Sequence, residues 1–262
     1  RGGMDGLCAI PVKGDKNFEK LRSKINLDRT LKLTSDFDLH PALKTFKSLW
    51  DQNLSAAVHA TNIPYTGRSH FDGQNLMESG GKIPYQEKTG WLGRGMKTAG
   101  LTGQGLALAL PMPLLIRGVP MNNNYFPVGR SLPYPDTLEL IKQAYKEHDE
   151  KLLSDNLEII LTRDFNNRSR DDAWILASSA GTELSKPDGP KVAVFEVDGF
   201  DTHAAQGATD GAHADCLSDY DNIVRSLKSS MSEEAFNNTL VLTLTEFGRT
   251  IKQNSSNGTE HG

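Results

Sequence analysis

Hydrophobic and polar positions recur with two different periods along this chain, and the changes of period mark its elements. Leu43, Phe46, Leu49 and Trp50 fall at helical spacing in PALKTFKSLWDQ, so residues 41–52 are expected to form an amphipathic helix, with Pro41 suited to its first turn. The apolar run LSAAVHA (54–60) reads as a short strand around Ala57, followed by a loop and a helix over 69–79. Residues 111–135, PMPLLIRGVPMNNNYFPVGRSLPYP, are rich in Pro, Asn and Gly and suit an extended surface excursion. Helical spacing then returns at 136–148, 151–161 and 170–184.

Two later runs have the character of buried strands. KVAVFEV (191–197) is rich in β-branched and aromatic residues, and LVLTLT (240–245) follows after a helix expected over 214–231. Strand, helix and strand at this separation form a right-handed crossover, which places both strands parallel with their carboxyl ends on one edge. Ligands of open α/β sheets bind at that edge. The expected fold is therefore α/β, a mainly parallel central sheet flanked by helices, with residues 111–190 as an irregular, partly helical insertion or cap. One domain spanning 1–262 is expected. Because a Gly-rich turn such as RGGMDGL usually follows a strand, that domain reads as incomplete at its ends.

Composition narrows the class. With 37% hydrophobic residues, 262 positions bury a sizeable core, and no apolar run approaches the ~20 residues of a membrane-spanning helix. The net charge of -4 and pI near 6.0 argue against a general affinity for nucleic acid or anionic lipid. Cys8 and Cys216 could pair, stay reduced or never meet, and spacing does not choose.

The strand ends carry the candidate chemistry. DGFDTH follows 191–197 with Asp201 and His203, and TEFGRT follows 240–245 with Glu246 and Arg249. Gly-flanked polar groups recur at GGMDGL (Asp5), GRSHF (Ser69, His70) and GTEHG (Glu260, His261). Carboxylates and imidazoles gathered from several strand ends are what a divalent metal site requires. Taken singly, Glu246 reads more readily as a loop cap or partner of Arg249, and Arg249 reads equally well as a salt-bridge partner of Glu246 or Asp201. His70 reads as a loop or packing residue, and His40, His59, His148 and His213 as structural or surface groups.

The motifs RGGMDGL, HPAL, SHFDGQ, GFDTHAAQ, LTEFGRT and GTEHG, in that order, resemble the bacterial domain-of-unknown-function family fifteen-zero-one. That family is assigned to the alkaline-phosphatase and sulfatase-like superfamily. The resemblance implies an alkaline-phosphatase-like core and a metal-dependent hydrolase of phosphate or sulfate esters, with a small anionic ester as partner. It implies a divalent metal, with zinc the candidate, held by Asp5, Asp201, His203, Glu246 and His261. Ser69 stands where the superfamily carries its nucleophile, at a helix start whose free amides favour anions; an N-cap is the alternative role. Arg249 would stabilise anionic oxygens. Phe247 stands where a second ligand is normally His, which favours one metal over two and keeps open a catalytically degenerate binding or scaffold module. By strand alternation Phe247 should point away from the cleft. The resemblance also implies export to the periplasm or the cell exterior.

Overall fold

The computed structural model describes residues 1–108, 110–125, 135–148, 151–162 and 173–262. In chain order, α1 (Gly6–Ala9) and α2 (Lys16–Leu21) precede a two-stranded antiparallel ribbon of β1 (Leu31–Lys32) and β2 (Asp38–Leu39). There follow α3 (Lys44–Asp51), α4 (His70–Ser79), α5 (Trp91–Thr98), β3 (Gly105–Leu108), a 3-10 turn (Leu114–Ile116) and β4 (Asn123–Tyr125). The rest comprises α6 (Pro135–Glu147), α7 (Lys151–Thr162), α8 (Ala173–Leu184), β5 (Val192–Val194), α9 (Ala212–Ser230) and α10 (Glu233–Asn237).

The protein is mixed α/β around a small parallel sheet of three strands, in the order β4-β3-β5. Central β3 is buried throughout, and its side chains alternate between two apolar layers as a pleated strand requires. Leu106 and Leu108 face α8 and α9, joining Leu176, Ala177, Ala180, Ile223, Leu227 and Met231. Ala107 faces the other way, with Met96 of α5, Ile116 and Val119. Burying both faces explains why GLAL reads as an unbroken apolar run, without the alternation of a half-exposed strand.

Two compact units divide the chain: Arg1–Phe126 with Ala173–Gly262, and Pro127–Asp172. In the second, α6 and α7 pack together and Lys142 Nζ lies 3.3 Å from Glu158 Oε1. Residues 111–126 and 173–190, within the expected insertion, group with the first unit, where α8 packs on α9. The expected residues 126–134, 149–150 and 163–172 of that insertion lie outside the described residues.

Helix expectations at 41–52, 69–79 and 214–231 correspond to α3, α4 and α9. The N-terminus of α3 has no cap of its own; Asp221 of α9 accepts from the amides of Thr45 (2.8 Å) and Phe46 (3.1 Å), tying the two helices. Two strand expectations need correction. Residues 54–60 form no strand, and Val58 is 79% exposed. Residues 240–245 form none either, so the ladder expected between them and 191–197 is absent; β5 pairs with β3. Strand propensity becomes a strand only beside a neighbour that takes up the backbone groups, and neither segment has one among the described residues. No helix among those residues is long and apolar enough to cross a membrane.

Candidate metal centre

Three segments far apart in sequence supply the site. Ser69 is the N-cap of α4, its Oγ accepting from the Asp72 amide at 3.4 Å, and this cap fixes His70 as the first helical residue. Asp201 and His203 lie in the irregular stretch after β5. Glu246, Phe247, Arg249 and His261 come from a closing loop in which Arg249 bridges antiparallel to His261 and Gly262 N–H donates to the Gly248 carbonyl at 2.9 Å. Asn254 ties that loop to the Asp201 segment by donating to the His203 carbonyl at 2.8 Å. Gly258 allows the approach, since a Cβ there would stand 2.3 Å from the same carbonyl.

The geometry converges on one point. His261 Nε2 lies 2.9 Å from His70 Nε2 and 2.9 Å from His203 Nε2. Asp201 Oδ1 is 2.9 Å from His203 Nε2 and 3.2 Å from His261 Nε2, and its Oδ2 is 3.3 Å from His70 Nε2. The ligating atoms of His70, Asp201 and His261 all lie within 4.8 Å of one another.

Each imidazole is held from behind. His70 Nδ1 lies 2.8 Å from Glu246 Oε1, His203 Nδ1 3.0 Å from Glu260 Oε2, and His261 Nδ1 2.8 Å from the Arg68 carbonyl. Carboxylates and carbonyls only accept, so all three rings carry hydrogen on Nδ1 and, when neutral, turn a bare lone pair on Nε2 toward the shared point. Lone pairs that meet at 2.9 Å repel unless a proton or a metal cation sits between them.

Electrostatics keep the carboxylates ionised. Burial would raise Glu246, but hydrogen bonds from the Gly2 amide, its own amide, His70 and Gln74 outweigh it and hold the group at about 2. Burial also opposes ionisation of Asp201, and the hydrogen bond from Arg249 leads the lowering that prevails on balance. For Glu260, the hydrogen bond from Asn254 leads the lowering.

The expected residues take different places. Asp201, His203 and His261 meet. Glu246 is buried behind His70 and reaches the cluster through that ring. Arg249 donates to Asp201 Oδ1 at 2.7 Å, and its other nitrogens go to Thr259 Oγ1 (3.1 Å) and the Thr259 carbonyl (2.7 Å). Asp5 is engaged in a separate buried network: Arg22 grips it at 2.6 and 3.1 Å, and Gln206 donates at 2.7 Å. Burial alone would raise its carboxyl, but Arg22 lowers it on balance.

His70, which the sequence reading left as a packing residue, is the addition. The available signal was its place directly after a Ser cap in SHFD, where a short side chain at a helix start projects into whatever the cap faces. Phe247 also differs from expectation, because the chain bends at 246–247 and alternation does not carry through. Its ring stands 4.7 Å from that of His70 and 4.8 Å from that of His261, forming an apolar wall of the cluster.

Fold and site together define a mixed α/β protein with a cluster of histidines and carboxylates in the loops beyond its sheet. Residues 184–262 match the model of a family described as "Protein of unknown function (DUF1501)". The matched region contains Asp201, His203, Glu246, Arg249 and His261, and Asp5, Ser69 and His70 lie before it. No curated protein and no solved structure matches the chain.

Proposed function

We propose that His70, Asp201, His203 and His261 hold one divalent cation, with zinc the best match to the donor set, and that the centre serves hydrolysis of a small phosphate or sulfate ester. The observation that carries the metal assignment is the grouping of His70, Asp201 and His261, whose ligating atoms lie within 4.8 Å of one another, with His203 Nε2 2.9 Å from His261 Nε2 and every Nδ1 tied to an acceptor. Imidazoles that ligate metals are oriented in this way, by a carboxylate or carbonyl on the other nitrogen. Three imidazoles and a carboxylate suit zinc.

A cation there would polarise a phosphoryl or sulfuryl oxygen. The protein's own residues prepare the site for it. Glu246, Glu260 and the Arg68 carbonyl fix the tautomers, Arg249 anchors Asp201 Oδ1, and Phe247 keeps water from one side of the His70 and His261 rings. Ser69, beside His70 at the start of α4, is the nucleophile this reading assigns, at a helix end favourable to anions. An alkaline-phosphatase-like core and export belong to the same reading and rest on the ordered motifs. Glu246 is an orienting group here, and Asp5 supports the fold.

A second reading is a metal-holding module without turnover. It is favoured by two commitments: Ser69 Oγ caps α4, and the Arg249 guanidinium is engaged by Asp201 and Thr259. A panel of phosphate monoesters, phosphate diesters and sulfate esters, assayed with zinc-loaded protein, separates the two. Hydrolysis abolished by chelation and by Ser69→Ala supports the hydrolase. Stoichiometric zinc with no turnover on any ester replaces it with the module.

A further inference from the structure

Gln206 is fully buried, and each of its polar atoms is engaged. Its main chain donates to the Asn257 carbonyl at 2.9 Å and accepts from the His213 amide at 3.1 Å. Its Oε1 accepts from two hydroxyls, Thr202 Oγ1 at 3.0 Å and Thr259 Oγ1 at 2.8 Å, while Nε2 donates to Asp5 Oδ2 at 2.7 Å. Both ends fix this direction. The Asp5 carboxylate only accepts, so Gln206 turns its nitrogen there and its oxygen to the threonines. The Arg249 guanidinium only donates, so Thr259 Oγ1 accepts from Arg249 Nε at 3.1 Å and gives its own hydrogen to Gln206.

The two threonines carry the consequence. Thr202 lies between Asp201 and His203, and Thr259 lies two residues before His261. Thr259 also holds Arg249, which donates to Asp201 Oδ1 at 2.7 Å, and its amide donates to the Thr202 carbonyl at 3.2 Å. One amide oxygen thus joins the two segments that bring three of the four proposed ligands. We propose that Gln206 is a positioning residue of the metal centre, a clasp that sets the Asp201–His203 segment against the His261 segment before metal arrives. Metal donors must be held to within about 0.5 Å of the productive geometry by the contacts behind them. Glu246, Glu260 and the Arg68 carbonyl do this for single rings; Gln206 touches no ring and sets the spacing of the segments that carry them. Its anchor on Asp5, gripped by Arg22, keeps the amide from turning. Asp5→Asn keeps an oxygen for that donor, so the clasp survives it. An apolar side chain at 206 would leave two buried hydroxyls without an acceptor, a cost the segments relieve by moving apart.

The clasp rests on the metal assignment, and its test keeps the two apart. In chelator competition Gln206→Met should lower zinc affinity about 10-fold, the low end for supporting residues because it acts one layer further out. Thr259→Val should lose a comparable amount and Thr259→Ser should stay near wild type. Gln206→Met combined with Thr259→Val should lose little more than Thr259→Val alone, since both remove the same bond. Asp221→Asn, which weakens the tie between α3 and α9, should lower stability and leave zinc affinity unchanged. Loaded with cobalt, Gln206→Met should give a visible spectrum altered from wild type, while Asp221→Asn matches it. If Gln206→Met does not fold, Thr202→Val and Thr259→Val, each removing one hydroxyl, answer the same question. Wild-type zinc affinity in Gln206→Met, or in both valine variants, would overturn the clasp and leave the metal centre standing. So would fully additive losses in the double variant. Wild-type protein that takes up no zinc would overturn both.

Discussion

Glu246 Oε1 stands 2.8 Å from His70 Nδ1, which makes the carboxylate the group that sets the protonation pattern of an imidazole contributed by α4. Carboxylate partners of this kind raise the basicity of a ligating ring and fix its direction. Their loss typically weakens metal affinity by about 10–100-fold. Glu246→Ala should weaken zinc binding by that order, and Glu246→Gln by less, since its amide oxygen can still accept from Nδ1. Chelator competition on the two variants measures this. Unchanged affinity in Glu246→Ala would leave Glu246 a structural cap.

Asp5 should behave in the opposite way. It and Arg22 are each only 1% exposed and form a direct ion pair. Asp5→Asn strands the Arg22 guanidinium in the interior, and removing one partner of such a pair costs roughly 3–5 kcal/mol. Denaturant unfolding should show that loss, while zinc stoichiometry of the folded fraction stays the same. A variant of normal stability that fails to bind metal would return Asp5 to the ligand set.

Much of this division was legible in sequence, and its gaps have physical causes. Helix α4 announced itself through its Ser69 cap, and α9 through its long periodic face. The meeting of Asp201 with His203 followed from residues two apart sharing a side. Strand β3 was passed over because GLAL, short and apolar on both faces, carries no period. Conversely, 240–245 has every local mark of a strand and lacks only a neighbour, which local sequence does not report. His70 was missed because a single histidine at a helix start has no spacing to betray it, and convergence is a property of the closed chain.

His213 should govern stability in mildly acidic solution. Burial leads the lowering of its pKa to about 4, from an ordinary value of 6.5. Its Nε2 accepts from the Asp5 amide at 3.3 Å, and its buried Nδ1 has no hydrogen-bond partner among the described residues. Between these two values the unfolded chain binds the proton and the folded chain does not, so stability falls as pH drops from about 6.5 toward 4. Unfolding free energies of chelated wild type and His213→Gln should converge over that window as the wild type loses its advantage. Parallel pH profiles would assign the acid sensitivity elsewhere.

Phe247→Leu tests the apolar wall. Replacing a ring packed on His70 and His261 with a smaller apolar side chain should cost no more than about 1.5 kcal/mol, as conservative core exchanges do. Zinc should still bind, since no donor is lost. Thermal unfolding with and without zinc measures both effects, and complete loss of binding would show that the ring, and not the hydrogen bonds behind the histidines, positions them.

The central claim is the metal centre, and metal content per chain tests it most directly. Elemental analysis of protein purified without chelator, then exposed to zinc and desalted, should give about one ion per chain, the capacity of a single site. His70→Ala and His261→Ala should lose that ion while remaining folded by circular dichroism. Protein that retains no metal after zinc loading, or His70 and His261 variants that retain as much as the wild type, would contradict the account.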